Sequence, residues 1–439
     1  MSIDSVLKRA NYWIRDFFHG APMLKMYMDS KKVDSDIEYG RKWQNERIND
    51  ILSWATENTE FYKDYKGKNL EDFPVVNKLI LTQNHSANEV NHDKLTWQKG
   101  DVFIQRTSGS TGVPFEVPMD TRKRQRRIAD LKFYNHTIGF YSHEKLGHCR
   151  IWTQWHNKSG KQSKRENIVP INVAKLDDKG MKDFVKTIKN EKIFALRAYG
   201  STYDFLVKYI ESGEVNLDDL KTLKVCISSA EALNPAVRDR MMELTGVPIV
   251  EAYADEEAGT LAHQRIGDIN YYLNNTCYKF EWLKLDSDEP AEYGELARIV
   301  LTDFYNYAFP MIRYDTGDTA VFAPGNEKSH GWPYISKLYG RMMDTVYNTK
   351  GEPMHPMNFG RILKNFRTIL QWQFIQCGEK EYCVKLQLKD ESELEAIMQE
   401  VRKIVGEDAT VNIEKVDEIP VLRSGKRKPV ICEWKSNVG

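Results

Sequence analysis

The residues best suited to chemistry form the run Thr107-Ser108-Gly109-Ser110-Thr111-Gly112, inside Ile104-Gln-Arg-Thr-Ser-Gly-Ser-Thr-Gly-Val-Pro-Phe115. Glycine and small hydroxyl side chains let the backbone approach an anion closely, so that bare N–H groups and hydroxyls become donors to it. Phosphate-like ligands are the ordinary reason to keep so much local freedom; a surface loop rich in Ser and Gly is the alternative. The run is not a Walker A loop, because Pro114 stands where the second glycine belongs and no Lys-Ser/Thr follows.

The elements that must position this loop can be read from periodicity. A short apolar strand, Val102 to Ile104, leads into it. Just after it comes Arg122-Lys-Arg-Gln-Arg-Arg127, five basic residues in six. They wrap around a helix, so a solvated surface is expected, with a cationic rim for a phosphorylated second substrate as the alternative. Leu223 to Ser228 reads as a strand, Asn234 as an N-cap, Pro235 as the first helical residue, and Val237, Met241 and Leu244 as a buried stripe. Gly246 ends that helix and Val247 to Tyr253 returns as a strand. This is a βαβ crossover and predicts a parallel sheet. Ligands of such sheets bind beyond the carboxyl ends of the strands, which here carry Ser229-Ala230-Glu231 and Tyr253-Ala-Asp-Glu-Glu257. Upstream, Ile193 to Leu196 reads as a buried strand, with Ser201 capping the helix that Gly213 stops.

From Tyr271 to Phe322 the pattern changes to short alternating strands, which predicts an antiparallel β subdomain. A boundary is expected near Gly340-Arg341. Beyond it, Val384, Leu386 and Leu388 alternate in a strand, Ser392-x-x-Glu395 reads as a capping box, and Thr410 to Val416 alternates again. At the other end, Val6, Ala10, Trp13, Ile14, Phe17 and Phe18 recur at helical spacing. This N-terminal helix is expected to pack on the protein's own body. Docking on a membrane surface is the alternative, given Lys8, Arg9 and Arg15 nearby. The expected fold is thus α/β, with a large N-terminal domain, 1–340, and a small α+β domain, 341–439.

Composition sets the remaining bounds. The chain has 439 residues, a length that suggests two or three domains, and 41% of them are hydrophobic, enough to build real cores. Lys+Arg and Asp+Glu each number 63, so net charge gives no argument for nucleic acid as a partner. The six cysteines form no C-x-x-C pair, and no run approaches about 20 apolar residues. A cytoplasmic protein with no membrane span is expected; oligomeric state is not legible. His263 and Cys277 are too isolated to suggest zinc.

Taken in order, the hydroxyl-glycine loop, Ser229-Ala230-Glu231, Tyr253-Ala-Asp-Glu-Glu257, Arg313-Tyr-Asp-Thr-Gly-Asp318, Gly340-Arg341-Met-Met-Asp344 and Arg423-Ser-Gly-Lys426 resemble the adenylate-forming superfamily. That superfamily contains acyl-CoA synthetases, peptide-synthetase adenylation domains and luciferases. Phe73-Pro-Val-Val76 and Pro310 to Asp318 are similar to phenylacetate-CoA ligase and the related proteins of capsular-polysaccharide gene clusters. The resemblance runs from about residue 45 to 435.

It implies that Thr107 to Gly112 cradle the ATP phosphates, with Phe115 in place of a lysine often found after that loop. Tyr253 would stack on adenine against Ser229, Ala230 and Glu231. Glu257 would hold Mg²⁺ on the phosphates, with Glu256 standing where a threonine is usual. Asp318 would accept hydrogen bonds from the ribose hydroxyls, and Arg341 would reach the nucleotide from the hinge, where Met343 departs from the usual Asp or Lys. Lys426 would neutralise charge developing between the substrate carboxylate and the α-phosphate, and Thr111 would act with it. Trp152, Trp155, His156, Tyr199 and Tyr134 are candidates for the acyl pocket, with ordinary core aromatics as the alternative. The implied reaction is ATP-dependent activation of a small-molecule carboxylate through an acyl-adenylate, then acyl transfer to a thiol, coenzyme A. The alternatives are transfer to an amine, sugar or carrier protein, and a nucleotide-binding protein without catalysis.

Overall fold

The computed structural model describes residues 3–107, 115–150, 160–173, 176–230, 233–285, 287–341, 346–351, 353–354, 359, 362–363, 365–419 and 429–434. By compactness it falls into two units, one running to Leu338 and one from Tyr339 onward.

The larger unit is built on an eleven-stranded sheet. One half of it is parallel, in the order Ile168–Asn172, Leu146–Arg150, Ala195–Ala198, Val225–Ser229, Ile249–Asp255. The crossover read from the sequence is present. Asn234 caps the helix Pro235–Thr245 by accepting from the Ala236 N–H at 3.1 Å, and Gly246 ends it at φ 68°. That conformation costs a residue with a Cβ about 1 kcal/mol.

The antiparallel strands do not form a separate body. Gly259–Gln264 pairs directly with Ile249–Asp255, and the strands from Tyr271 to Arg341 continue the same sheet. The hairpin Ile249–Gln264 therefore couples the two halves of the sheet. Its turn needs Gly259, at φ 115°, where a Cβ would lie 3.1 Å from Arg127 Nε.

Three local readings are corrected. Ser201 is not a cap: the helix Gly200–Glu211 starts one residue earlier, with Tyr199 at its N-cap. Ser392 is not one either. The helix Leu394–Val405 begins after Glu393, whose carboxylate instead accepts from the Thr368 N–H at 2.9 Å. The basic run is solvated only in part: Arg122 and Arg124 are exposed, but Lys123 and Arg126 are fully buried. Lys123 pairs with Asp303, and Arg126 with Asp130 one turn along its own helix, Thr121–Thr137. Burying a cation is tolerable only with such a partner.

The N-terminal helix, Ile3–Phe18, also departs from expectation. Ile3, Leu7, Ile14, Phe17 and Phe18 are 55–81% exposed, whereas Ser5 and Asp16 are buried. Most of its apolar stripe faces solvent, while Trp13 and Tyr12, both half-buried, pack on the body of the protein with Ser5 and Asp16.

The second unit holds a four-stranded sheet ordered Thr410–Lys415, Glu381–Leu388, Ile369–Gln376, Val430–Cys432. The outer strands pair in parallel and the central pair is antiparallel. Ile397, Val401 and Val405 of the covering helix pack with Phe374, Val384 and Leu386 in one core.

Candidate functional site

The two strands that flank the hydroxyl-glycine run pair with each other. Phe103–Thr107 pairs antiparallel with Phe115–Met119, and Thr107 faces Phe115 across the ladder. Ser108 to Pro114 lie outside the described residues, as do Thr111 and the rest of the run. Phe115 is fully buried in a core cluster with Tyr253, Phe309 and Tyr314. A lysine there would bury an unpaired charge, which explains the aromatic residue at this position.

The same cluster holds the centre of the candidate site. The Tyr253 hydroxyl donates to Asp318 Oδ2 at 2.7 Å, and the Tyr314 hydroxyl donates to Glu257 Oε1 at 2.8 Å. Two motif segments that are far apart in the chain are thus joined by paired tyrosine–carboxylate bonds. Thr316 orients the Asp318 backbone, accepting its N–H at 3.1 Å and donating to the Ile299 carbonyl at 3.0 Å. Ser229 lies beside Ala252 in register, which sets Ser229 and Ala230 next to Tyr253. Ala230 turns off the strand at φ 69°, a left-handed conformation unusual for alanine. Glu231 is outside the described residues.

Asp255 and Glu257 each carry a buried oxygen, Oδ2 and Oε2, with no hydrogen-bond partner. Burial drives the Asp255 carboxyl well above the usual carboxylate range, and the nearby Glu257 and Asp318 carboxylates push it further. The Ala258 N–H, donating at 2.9 Å to Oδ1, acts the other way. Orphaned carboxylate oxygens in a shared negative field are what a hard cation completes. The donors therefore fit Mg²⁺. No set of three His, Cys, Asp or Glu ligands converges among the described residues. An ion here would share its shell with phosphate and water, the usual arrangement for magnesium.

Glu256, the departure from the family pattern, points away from this pair. It is exposed and accepts from Gln105 Nε2 at 2.8 Å, while its carbonyl accepts from Arg127 at 3.0 Å. Gln105 belongs to the strand that leads into the hydroxyl-glycine run, so this bond ties that strand to the carboxylate turn.

The Arg313 segment has a structural role that the motif alone did not announce. At φ 49°, Arg313 reaches Glu281 at 3.0 Å and the carbonyls of Glu71 and Phe73 at 3.1 and 2.9 Å. Val76 and Tyr314 form a parallel bridge alongside. The extended connector Phe73 to Val76 is thereby fixed against the strand that carries Tyr314 and Asp318.

Asp255, Tyr314, Thr316, Gln105 and Arg127 were not singled out from the sequence. All five do lie inside quoted stretches, and an acid two residues from Glu257 was a usable signal. Tyr199 is half-buried against the parallel-sheet core. Tyr134 is buried, stacks on His263 with centroids 5.9 Å apart and donates to the Leu273 carbonyl at 3.1 Å. Trp152, Trp155 and His156 lie outside the described residues. Arg341 ends the strand Tyr334–Arg341, and its side chain is not described. Lys426 also lies outside the described residues.

Comparison with known structures decides the fold. The structure of 2-hydroxyisobutyryl-CoA ligase in the postadenylation state with 2-HIB-AMP superposes with a TM-score of 0.69, at 14% identity, over 92% of each chain. ATP-bound MatB from Rhodopseudomonas palustris gives 0.57 at 13% identity, over 74% of this chain and 66% of the other. The fold is that of the adenylate-forming ligases. Residues 346–433 match the family model of the CapK C-terminal domain. Protein CapK of Staphylococcus aureus is 22% identical over 413 residues, 89% of each chain. Similarity to Protein CapK therefore extends along most of the chain, in keeping with the motif resemblance.

Proposed function

We propose that this protein activates a carboxylic acid with ATP to an acyl-adenylate and then transfers the acyl group to a thiol, coenzyme A. The observation that carries the reading is the pairing of Tyr253 with Asp318 beside the orphaned oxygens of Asp255 and Glu257. One end of this group suits a nucleoside and the other suits a metal-bound phosphate.

Asp318 accepts from the ribose hydroxyls while the Tyr253 hydroxyl holds its other oxygen. Such charge-assisted bonds are worth roughly 1.5–3 kcal/mol. Tyr253, with Ser229, Ala230 and Glu231, forms the adenine wall. The loop from Thr107 to Gly112 binds the phosphates, anchored through Gln105 to the carboxylate turn. Glu257 and Asp255 would hold Mg²⁺, which supplies charge neutralisation on the phosphates when bound. Lys426 stabilises the charge that develops as the carboxylate oxygen attacks the α-phosphorus and pyrophosphate leaves. Positioning and charge neutralisation account for most of such catalysis. Trp152, Trp155 and Tyr199 are the side chains that would contact the acyl group.

The test is ATP–pyrophosphate exchange with a panel of carboxylic acids, followed by addition of CoA. Exchange that proceeds to a CoA ester supports the reading. Exchange that yields product only with an amine, a sugar or a carrier protein replaces the acceptor. ATP binding without exchange across a broad panel rejects catalysis. Asp318→Ala is expected to raise the KM for ATP by roughly 10-fold or more; an unchanged KM would reject the ribose assignment.

A further inference from the structure

The N-terminal helix Ile3–Phe18 is docked with its apolar side outward. At about 100° per residue, Ile3, Val6, Leu7, Ala10, Ile14, Phe17 and Phe18 form one stripe and all are exposed, while Trp13 at its margin is half-buried against Tyr27. Leu24 and Met28, one turn apart on the next helix, Pro22–Ser35, add 41% and 50% exposed apolar side chains. Core-facing helices of soluble proteins bury such a stripe.

The orientation is fixed by the polar side of the helix. The buried Asp16 carboxylate accepts from the N–H groups of Met23 and Leu24 at 3.1 and 2.9 Å, capping the next helix. The turn between the helices needs two consecutive left-handed residues, Gly20 at φ 87° and Ala21 at φ 56°. Lys8 reaches Asn167 at 3.2 Å, the Tyr12 ring lies 5.2 Å from His143, and Lys132 sits 4.1 Å over Tyr12. Rotating the stripe inward would break all of these at once.

What covers the stripe is indicated by its charged border. Lys8 and Arg15 lie on one side of it and Arg9 on the other, with Lys25 exposed just beyond the turn. Of the two acids on the helix, Asp4 is paired with Lys8 and Asp16 is buried in its cap. With Lys8 offset by Asp4, the cations Arg9, Arg15 and Lys25 give the border its positive charge in a chain whose net charge is zero. A second copy of this chain meeting the same face in a two-fold pair would set these cations against their own equivalents. An anionic surface with an apolar interior satisfies both the stripe and the border.

We propose that this face is an in-plane anchor for the surface of an anionic phospholipid bilayer. Phe17, Phe18, Leu7 and Ile3 would enter the acyl boundary, and the basic side chains would stay among the headgroups. Helices of this kind lie in the interface and do not span it. Among the described residues no helix is long and apolar enough to cross a membrane.

The experiment is co-sedimentation of the full chain with vesicles of phosphatidylcholine containing phosphatidylglycerol, and with phosphatidylcholine alone. Binding is expected to the anionic vesicles, and it should weaken as salt shortens the screening length. Leu7→Glu with Phe17→Glu should lower partitioning about 10-fold or more without shifting Tm, since both side chains are exposed. Arg15→Glu with Lys25→Glu should remove the preference for the anionic lipid. Wild type remaining in the supernatant at low salt would overturn the proposal. So would equal binding by the Leu7→Glu, Phe17→Glu protein, or binding indifferent to salt and to the Arg15 and Lys25 changes. A wild-type dimer that this double variant converts to monomer, with no vesicle binding, would assign the face to a second copy.

Discussion

Asp255 has a buried carboxyl oxygen with no partner, next to Glu257, which has another. In the unliganded protein this is an unfavourable place for charge, and burial and the neighbouring acids hold the Asp255 carboxyl protonated well above its usual range. An unfolded aspartate loses its proton near pH ~3.9. Above that pH the unfolded chain has released a proton that the folded chain still binds, so folding stability falls as pH rises through the window up to the folded pKa. Asp255→Asn removes this dependence and can keep the bond from Ala258. The variant is expected to melt roughly 2 °C higher than wild type near neutral pH, with the difference closing toward pH ~4. Its thermal shift on adding ATP with Mg²⁺ should shrink, because a cation ligand has been lost. Melting curves across pH, with and without Mg-ATP, check both; a variant less stable than wild type at neutral pH would contradict the assignment.

At the scale of elements, the strand that carries Tyr314 and Asp318 is held by Arg313, which bonds Glu281 and two carbonyls of the preceding connector. Removing one partner of a largely buried pair leaves the other uncompensated and typically costs about 3 kcal/mol or more. Arg313→Ala should therefore lower the denaturant midpoint by an amount equivalent to about 3 kcal/mol. It should also raise the KM for ATP, since Asp318 loses its fixed strand. A change below about 1 kcal/mol would show that the connector holds without it. The buried Lys123–Asp303 and Arg126–Asp130 pairs follow the same rule. A run of five basic residues in six read as a surface from composition. Arg126 faces Asp130 at a local i,i+4 spacing, but Lys123 faces an acid 180 residues away that sequence patterning could not place.

For the whole molecule, the proposed reaction gives Lys426, which lies outside the described residues, the part of neutralising developing charge. Loss of one preorganised cation at a developing charge slows catalysis by about 10²–10³. Lys426→Ala is accordingly expected to reduce adenylate formation roughly 100-fold or more, with the melting temperature and ATP affinity nearly unchanged. Equal rates for variant and wild type would remove Lys426 from the mechanism.

The sequence by itself determined what local rules control. The Asn234-Pro235 start and Gly246 stop of a crossover helix are capping chemistry, and the parallel sheet follows from them. Motif order along the chain likewise sufficed for the adenylate-forming fold. The tertiary structure alone decided which distant groups meet. Tyr253 and Asp318 are 65 residues apart, and Tyr314 and Glu257 are 57 apart; no periodicity encodes those bonds. It also decided which side of the Ile3–Phe18 helix faces inward. The amphipathic spacing was visible, but a helix turns its apolar side inward only if its polar side has nothing better to bind. Here the carboxylate of Asp16 caps a neighbouring helix, and that contact fixes the outward face.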